Sequence, residues 1–408
     1  MKTVNGSKGL INANISQPQQ SQQQQKGFYY FDINSTTNCN LRCTYCIEHD
    51  WFKKPEKTPD KPLIENIKTK VSAMLKSEKF LDVYSGIGLF FWGGESTLNP
   101  GLIQDLVNYF DNDDRVAFFL YSNGFNIKPV LPLLQKYKHR KAANGMAKVV
   151  IQVSYDGAAS HDIARVDVAG KGTASRVLAN IKLLKKENIP HSIKPTLAYE
   201  DLDKISGNYY DYKKLADEPV QSAGSILYGP TIDYLSDHHF TKEQMDGYLQ
   251  DLKKQIKIIL KDEIAYYKKH GKFFFNWLNP SKAICGAGAG LSIIDTNGDI
   301  LVCHGALYED NRDEHKITSI NKETEEFIDD ILNARTKYFE AAHKLPPECV
   351  TCHAHHCMKC NVKKASISKK DTYFERWADY HNQDHICKLY KYLGSLRIAI
   401  LKVIEDTK

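Results

Sequence analysis

Hydrophobic and polar positions fall into regular blocks along this chain. Residues 1–26 end in QPQQSQQQQK, a polar, low-complexity run expected to be disordered. Order is expected from GFYYFDIN (27–34), an aromatic strand-like run. Ile64, Ile67, Val71 and Met74 with Leu75 then keep helical spacing. IGLFFW (87–92) reads as a buried strand ending in Gly-Gly. Ile103, Leu106, Val107 and Phe110 form a second helical stripe. VAFFLYS (116–122) and KVVIQVS (148–154) are strands closed by Asn123-Gly124 and Asp156-Gly157. Val177, Ile181 and Leu184 mark a helix, and HSIKPTL (191–197) and SILYGP (225–230) read as strands. Apolar strands alternating with helices predict a parallel α/β sheet, open or barrel-like. Residues 241–271 read as one long charged amphipathic helix, 389–404 as a closing helix, and no fixed-period repeat is present.

Polar clusters follow these strands directly: Cys39–Cys46, Gly93–Glu95, Ser122–Gly124 and Ser154–Gly157. In parallel α/β folds the functional groups gather at the carboxyl ends of strands. Composition narrows the class. The 408 residues suffice for two or three domains of about 150 residues. With 42% apolar residues a sizeable core is possible. Lys+Arg 55 against Asp+Glu 49 leaves +6, spread along the chain, which is no nucleic-acid signature. No apolar run approaches the ~20 residues of a membrane span. The first residues carry no apolar signal core, so a cytoplasmic location is expected.

Ten cysteines fall into two groups, Cys39, Cys43 and Cys46, then Cys285, Cys303, Cys349, Cys352, Cys357, Cys360 and Cys387. In a reducing compartment such sets point to metal rather than disulfides. Three thiolates on a tight loop can hold three irons of a cubane and leave the fourth iron for a small molecule. The spacing also admits a zinc site completed by His49, or three unrelated buried thiols.

NCNLRCTYC after a strand, at the start of an α/β region, resembles the signature of the radical S-adenosylmethionine superfamily. Tyr45 stands where that family has an aromatic before its third cysteine. WGGES (92–96) resembles the family's Gly-Gly-Glu motif, YSNG (121–124) its Thr/Ser-Asn-Gly turn and SYDG (154–157) its Ser-x-Asp-Gly segment. The resemblance covers roughly residues 28–232. It implies a partial (β/α)6 barrel over 27–235 and a 4Fe–4S cluster on Cys39, Cys43 and Cys46. It also implies reductive cleavage of S-adenosylmethionine to a 5′-deoxyadenosyl radical, the cofactors carrying the chemistry and the protein orienting them. Candidate cofactor contacts are Tyr45, Gly93, Gly94, Glu95 (ammonium), Ser122, Ser154 and Asp156 (ribose) and Arg165 (carboxylate).

Asp295-Thr296-Asn297-Gly298 is a turn between two apolar runs, so Cys285 and Cys303 should flank a hairpin. Cys349-x2-Cys352-x4-Cys357-x2-Cys360 alone suits a zinc ribbon, helped by His353, His355 and His356, but leaves three cysteines idle. The seven together resemble the SPASM extension of radical enzymes, with two spacings each one residue short. That implies a small cysteine-rich domain (284–408) after a helical linker (236–283), binding two auxiliary 4Fe–4S clusters, three clusters in all. By the family pattern Cys349, Cys352, Cys357 and Cys387 complete one. Cys285, Cys303 and Cys360 hold the other, its fourth ligand a substrate group, a water or a side chain such as His304.

The resemblance implies an enzyme, a maturase acting on a ribosomally made precursor peptide, with a thioether or carbon–carbon side-chain crosslink the leading expectation. A separate leader-recognition protein, or weaker recognition built into this chain, is expected, with a ferredoxin, flavodoxin or reductase as electron donor. Formylglycine formation in sulfatases is the alternative; there an Asp follows the cysteine equivalent to Cys303, whereas this chain has His304, a candidate base. An electron carrier or zinc module is the non-enzymatic alternative, which the cofactor-pocket motifs oppose. Thr36, Thr37 and the aromatics of FYYF have no assigned role.

Overall fold

The computed structural model describes residues 26–46, 48, 52, 54–217, 228, 231–232, 241–280, 286–308, 312–343, 352, 354 and 385–406. The expected 225–230 strand and the tail before Lys26 lie outside these, Tyr228 excepted.

The elements run in order as β1 (Phe28–Asn34), α1 (Lys61–Met74), α2 (Glu78–Leu81), β2 (Gly86–Trp92), α3 (Pro100–Tyr109), β3 (Val116–Ser122), α4 (Leu131–Tyr137) and β4 (Val149–Ser154). There follow α5 (His161–Ala164), α6 (Ala174–Lys186), β5 (His191–Lys194), β6 (Thr196–Leu197), α7 (Ile205–Asp217), β7 (Thr231–Ile232) and α8 (Lys242–His270). The chain closes with β8 (Leu291–Ile294), β9 (Asp299–Leu301), β10 (Lys316–Ser319), α9 (Thr324–His343) and α10 (His385–Asp406).

Eight strands form one sheet in the order β10-β9-β8-β1-β2-β3-β4-β5. β1 to β5 pair in parallel, as the alternation with helices predicts. The run expected at 191–197 breaks at Pro195, which has no N–H for the ladder. Beyond it β6 pairs in parallel with β7, so the parallel arrangement continues past the break. The chain is thus an α/β barrel segment. β8 and β9 form the expected hairpin around Asp295–Gly298, with Gly298 at φ 85°. β8 pairs in parallel with β1, so this C-terminal hairpin extends the same sheet.

Strand alternation assigns the two faces. Tyr29, Phe31 and Ile33 are buried toward the helices, with Tyr29 against Phe80 and Tyr84, and Phe31 against Phe327 of α9. This gives two of the FYYF aromatics, Tyr29 and Phe31, a role in the outer core. The opposite face of β1 carries Tyr30, Asp32 and Asn34, in register with Gly88, Phe90 and Trp92. Phe90 stands in register with Phe119 of β3, and its ring also meets Tyr121. The long amphipathic helix is α8, opened by a capping box of Thr241 and Gln244 and closed by Gly271 at φ 69°. Among the described residues no helix is long and apolar enough to cross a membrane.

Candidate active site

The loop after β1 carries the first three cysteines, and its shape is set by backbone pairing on two sides. On one side the Gly94 and Glu95 amides donate to Thr36 O and Asn38 O, both at 2.8 Å. A Cβ on Gly93 (φ 128°) would lie 2.4 Å from Thr36 O, and one on Gly94 2.1 Å from Asn38 O. The two glycines therefore admit the cysteine loop itself. On the other side the Arg42 and Thr44 amides donate to Val166 O (2.8 Å) and Ala164 O (2.9 Å), tying the loop to the segment after α5. Thr36 Oγ1 donates to Glu56 (2.8 Å) and Thr37 Oγ1 accepts from the Lys57 amide (2.9 Å), so both threonines brace the loop.

Donors point at all three sulfurs. The Leu41 amide donates to Cys39 Sγ and the Glu48 amide to Cys46 Sγ, each at 3.4 Å. The Arg165 guanidinium lies 4.0 Å from Cys43 Sγ, and the Asn123 side-chain amide 3.7 Å from Cys39 Sγ. Asn123 also holds Asn40 at 2.8 Å; it is a site residue that the turn motif signalled only as a turn. Burial raises the pKa of each thiol, that of Cys46 to about 12. An iron cluster, by deprotonating its ligands, reverses that preference, and the surrounding N–H groups suit the thiolate form. Among the described residues no three His, Cys, Asp or Glu side chains converge on a single-ion site. A cubane, which takes one thiolate at each iron, asks for no such convergence. The donor set fits a cluster.

Two buried carboxylates stand at the strand ends. Glu95, 2% exposed, accepts at Oε1 from the Thr97 amide (3.2 Å), the Thr97 hydroxyl (2.6 Å) and the Ser122 hydroxyl (2.8 Å). Its Oε2 accepts from the Asn123 amide at 2.7 Å. Burial raises its pKa against those four donors, which favour the charged form. Asp156, fully buried, accepts at Oδ2 from Tyr45 OH (2.5 Å) and Arg165 Nε (2.9 Å), and at Oδ1 from the Thr196 amide (2.8 Å). The Arg165 guanidinium also stacks over the Tyr45 ring, 5.3 Å from its centroid. Behind them the Asp156 amide donates to His161 Nδ1 (3.2 Å). With Nδ1 accepting, the ring's single proton is assigned to Nε2, which donates to Thr173 Oγ1 at 3.1 Å. Ser154, the last residue of β4, is half-buried at the same rim.

Of the seven later cysteines, Cys303, Cys352 and Cys387 are described, all partly buried and free of disulfides. Cys285, Cys349, Cys357 and Cys360 lie outside the described residues, as do His49, His353, His355 and His356. Cys303 follows β9, and His304 next to it turns toward β1. Its Nδ1 is 3.6 Å from Asp32 Oδ2, and its ring lies 5.1 Å from that of Trp92. Asp32 was not singled out by any motif.

Fold and site together define one enzyme class. Residues 33–204 match the family described as the Radical SAM superfamily, so the chain carries a radical SAM domain and is a radical SAM enzyme. That domain implies S-adenosylmethionine and a 4Fe–4S cluster as cofactors. The chain is 24% identical over 330 residues to a cysteine-type anaerobic sulfatase-maturating enzyme of Clostridium novyi (strain NT), covering 74% of this chain and 82% of that protein. In fold it is similar to native anSMEcpe with bound AdoMet and Kp18Cys peptide (TM-score 0.59, 15% identity, 88% of this chain and 98% of that one). It is also similar to Streptococcus suis SuiB bound to precursor peptide SuiA (TM-score 0.50, 14% identity, 85% and 74%).

Proposed function

We propose that this chain is a radical maturase that removes a hydrogen atom from one residue of a ribosomally made precursor peptide, ending in a side-chain crosslink. The carrying observation is the fold likeness over 88% of the chain to an enzyme with AdoMet and a peptide bound, joined to a site in which an N–H faces each sulfur of a three-cysteine loop. The bound cofactors supply a 5′-deoxyadenosyl radical when an electron is delivered. The chain's own residues hold and shield that chemistry. Cys39, Cys43 and Cys46 bind the cluster, with Gly93 and Gly94 allowing the loop its close packing. Glu95 and Ser122 hold the rim turn against which the cofactor's amino-acid end is placed. Ser154 and the Tyr45–Asp156–Arg165 group line the side assigned to its ribose and carboxylate.

The C-terminal cysteines are assigned to two auxiliary clusters in a SPASM domain spanning 284–408, Cys349, Cys352, Cys357 and Cys387 on one, Cys285, Cys303 and Cys360 on the other. His304 is the assigned base, facing the inner side of the barrel beside Cys303. A ferredoxin, flavodoxin or reductase delivers electrons in the cytoplasm, and a separate protein recognises the leader. The second reading, formylglycine formation in a sulfatase, is favoured by the Clostridium novyi likeness.

Anaerobic reconstitution with dithionite and S-adenosylmethionine tests the proposal. The expected result is about 12 iron per chain, 5′-deoxyadenosine, and a mass loss of two hydrogens in a precursor peptide encoded beside this gene. Absence of 5′-deoxyadenosine refutes the enzymatic reading, and conversion of a sulfatase cysteine or serine peptide to formylglycine selects the second.

A further inference from the structure

The inner face of the sheet holds a buried carboxylate, one oxygen of which has no hydrogen-bond partner among the described residues. Asp32 is 3% exposed and projects from β1 two residues before the strand's end, on the face shared by Phe90, Trp92 and Tyr121. Its Oδ1 has no hydrogen-bond partner. Its one ion-pair neighbour among the described residues is His304, at 3.6 Å from Oδ2, too far for a hydrogen bond and on the other oxygen. His304 Nδ1 is unpartnered too. Charged side chains elsewhere on this face are Lys194, on β5 four strands away in the sheet, and Asp295, which accepts from Asn34 at 3.0 Å; Arg312 beside it is already held by Asp295 and Asp299, each at 2.9 Å.

A carboxylate left this way costs free energy unless something arrives to pair with it. The walls say what kind of group that is. Phe90 and Tyr121 rings lie 5.9 Å apart, Trp92 packs on His304, and the strand register sets all three aromatic side chains on the face of Asp32. Aromatic faces around a carboxylate attract a cation, because ring quadrupole and carboxylate act with the same sign. A neutral donor would satisfy the lone oxygen but gain nothing from the rings. We propose that the inner face carries a binding site for a cationic side chain of the substrate peptide, lysine or arginine, with Asp32 as counter-ion and Phe90, Trp92 and Tyr121 as its walls. The inference rests on the peptide-substrate reading above and deepens it. It makes Asp32 a specificity-determining residue on the inner face below the rim that bears the cysteine loop.

Binding without turnover tests this on the reconstituted full-length enzyme. Calorimetry compares Ac-Gly-Lys-Gly-NH2 with its uncharged analogue Ac-Gly-norleucine-Gly-NH2. The lysine peptide is expected to bind at least tenfold more tightly. Asp32→Asn is expected to reduce that preference below twofold, while the norleucine peptide is unaffected. Equal affinities in the wild-type enzyme, or a tenfold preference that survives in Asp32→Asn, overturns the site. The wild-type comparison decides even if the variant does not fold. A lysine preference in an enzyme that modifies no peptide refutes the functional reading and leaves the site standing. No preference in an enzyme that does modify one refutes the site alone.

Discussion

The rim of the barrel and its inner face treat buried polar atoms in opposite ways. At the rim, Glu95 receives four donors and Asp156 three, and each cysteine sulfur has an N–H directed at it. On the inner face below, Asp32 Oδ1 and His304 Nδ1 have no hydrogen-bond partner, though both atoms are buried. Satisfied networks are rigid, and orphaned groups carry a cost that a bound molecule can relieve. On the proposed function, the contrast separates a preorganised cofactor side from a side awaiting the substrate's own hydrogen bonds.

The largest effect expected at the rim is chemical. Cys43→Ala removes one cluster ligand and should lower 5′-deoxyadenosine formation by roughly a thousandfold or more, equivalent to about 4 kcal/mol of barrier. Iron content should fall by about four per chain, the complement of one cubane. A variant that keeps full iron and cleavage would show that the loop is not the cofactor side at all.

Next comes the network that holds the loop. Glu95→Ala orphans the Thr97 amide and hydroxyl, the Ser122 hydroxyl and the Asn123 amide in a buried site. At about 1 kcal/mol for each lost bond, it should cost roughly 3–4 kcal/mol of unfolding free energy. Denaturant titration reads this directly. A loss under 1 kcal/mol would mean the rim is no better satisfied than the inner face, and the comparison would collapse.

A smaller effect depends on pH. Burial lowers the His161 pKa to about 4, below its ordinary 6.5. The unfolded chain therefore takes up a proton that the native state refuses. The stability His161 contributes is complete above pH 6.5 and lost as pH falls from there through about 4, a loss of roughly 3 kcal/mol at most. Stability measured between pH 7 and 5 should fall more steeply in the wild type than in His161→Gln. Equal slopes would place His161 outside the satisfied network.

The rim was largely legible in the sequence because its chemistry sits in contiguous motifs. β3 matches the expected 116–122 run, β1, β2 and β4 match theirs to within a residue, and the α8 boundaries follow from Thr241 and Gly271. Helical stripes at 64–75 and 177–184 lie on α1 and α6. α9, which packs Phe327 on Phe31, was not foreseen. Nor was the parallel pairing of β8 with β1, which joins residues far apart in sequence and depends on tertiary packing. The same pairing hid Asp32. Within FYYFDIN it is one polar residue in an apolar run, and only the register that sets it beside His304 shows it unpaired. Glu95 depends on the fold in a related way: the motif marks its carboxylate for a ligand, and tertiary packing adds four donors of the chain's own around it.

The smallest predicted effect bears most directly on the inner face. Burial raises the Asp32 carboxyl pKa above its ordinary value of 3.8. The native state then holds the proton more tightly than the unfolded chain, so ionised Asp32 penalises the native state at neutral pH. That penalty fades as pH falls through the raised value and is gone below about 4. Asp32→Asn removes the charge and keeps the shape, and should raise stability at pH 7 by about 1 kcal/mol. The difference between variant and wild type should vanish in acid, which a pair of denaturant curves at pH 7 and 4 would show. A destabilised variant at pH 7 would mean Asp32 is already paired within the protein, placing it with Glu95 and Asp156. A stabilised one would mean that the barrel maintains a charge its fold does not need, at a position where a cationic substrate group would restore the balance.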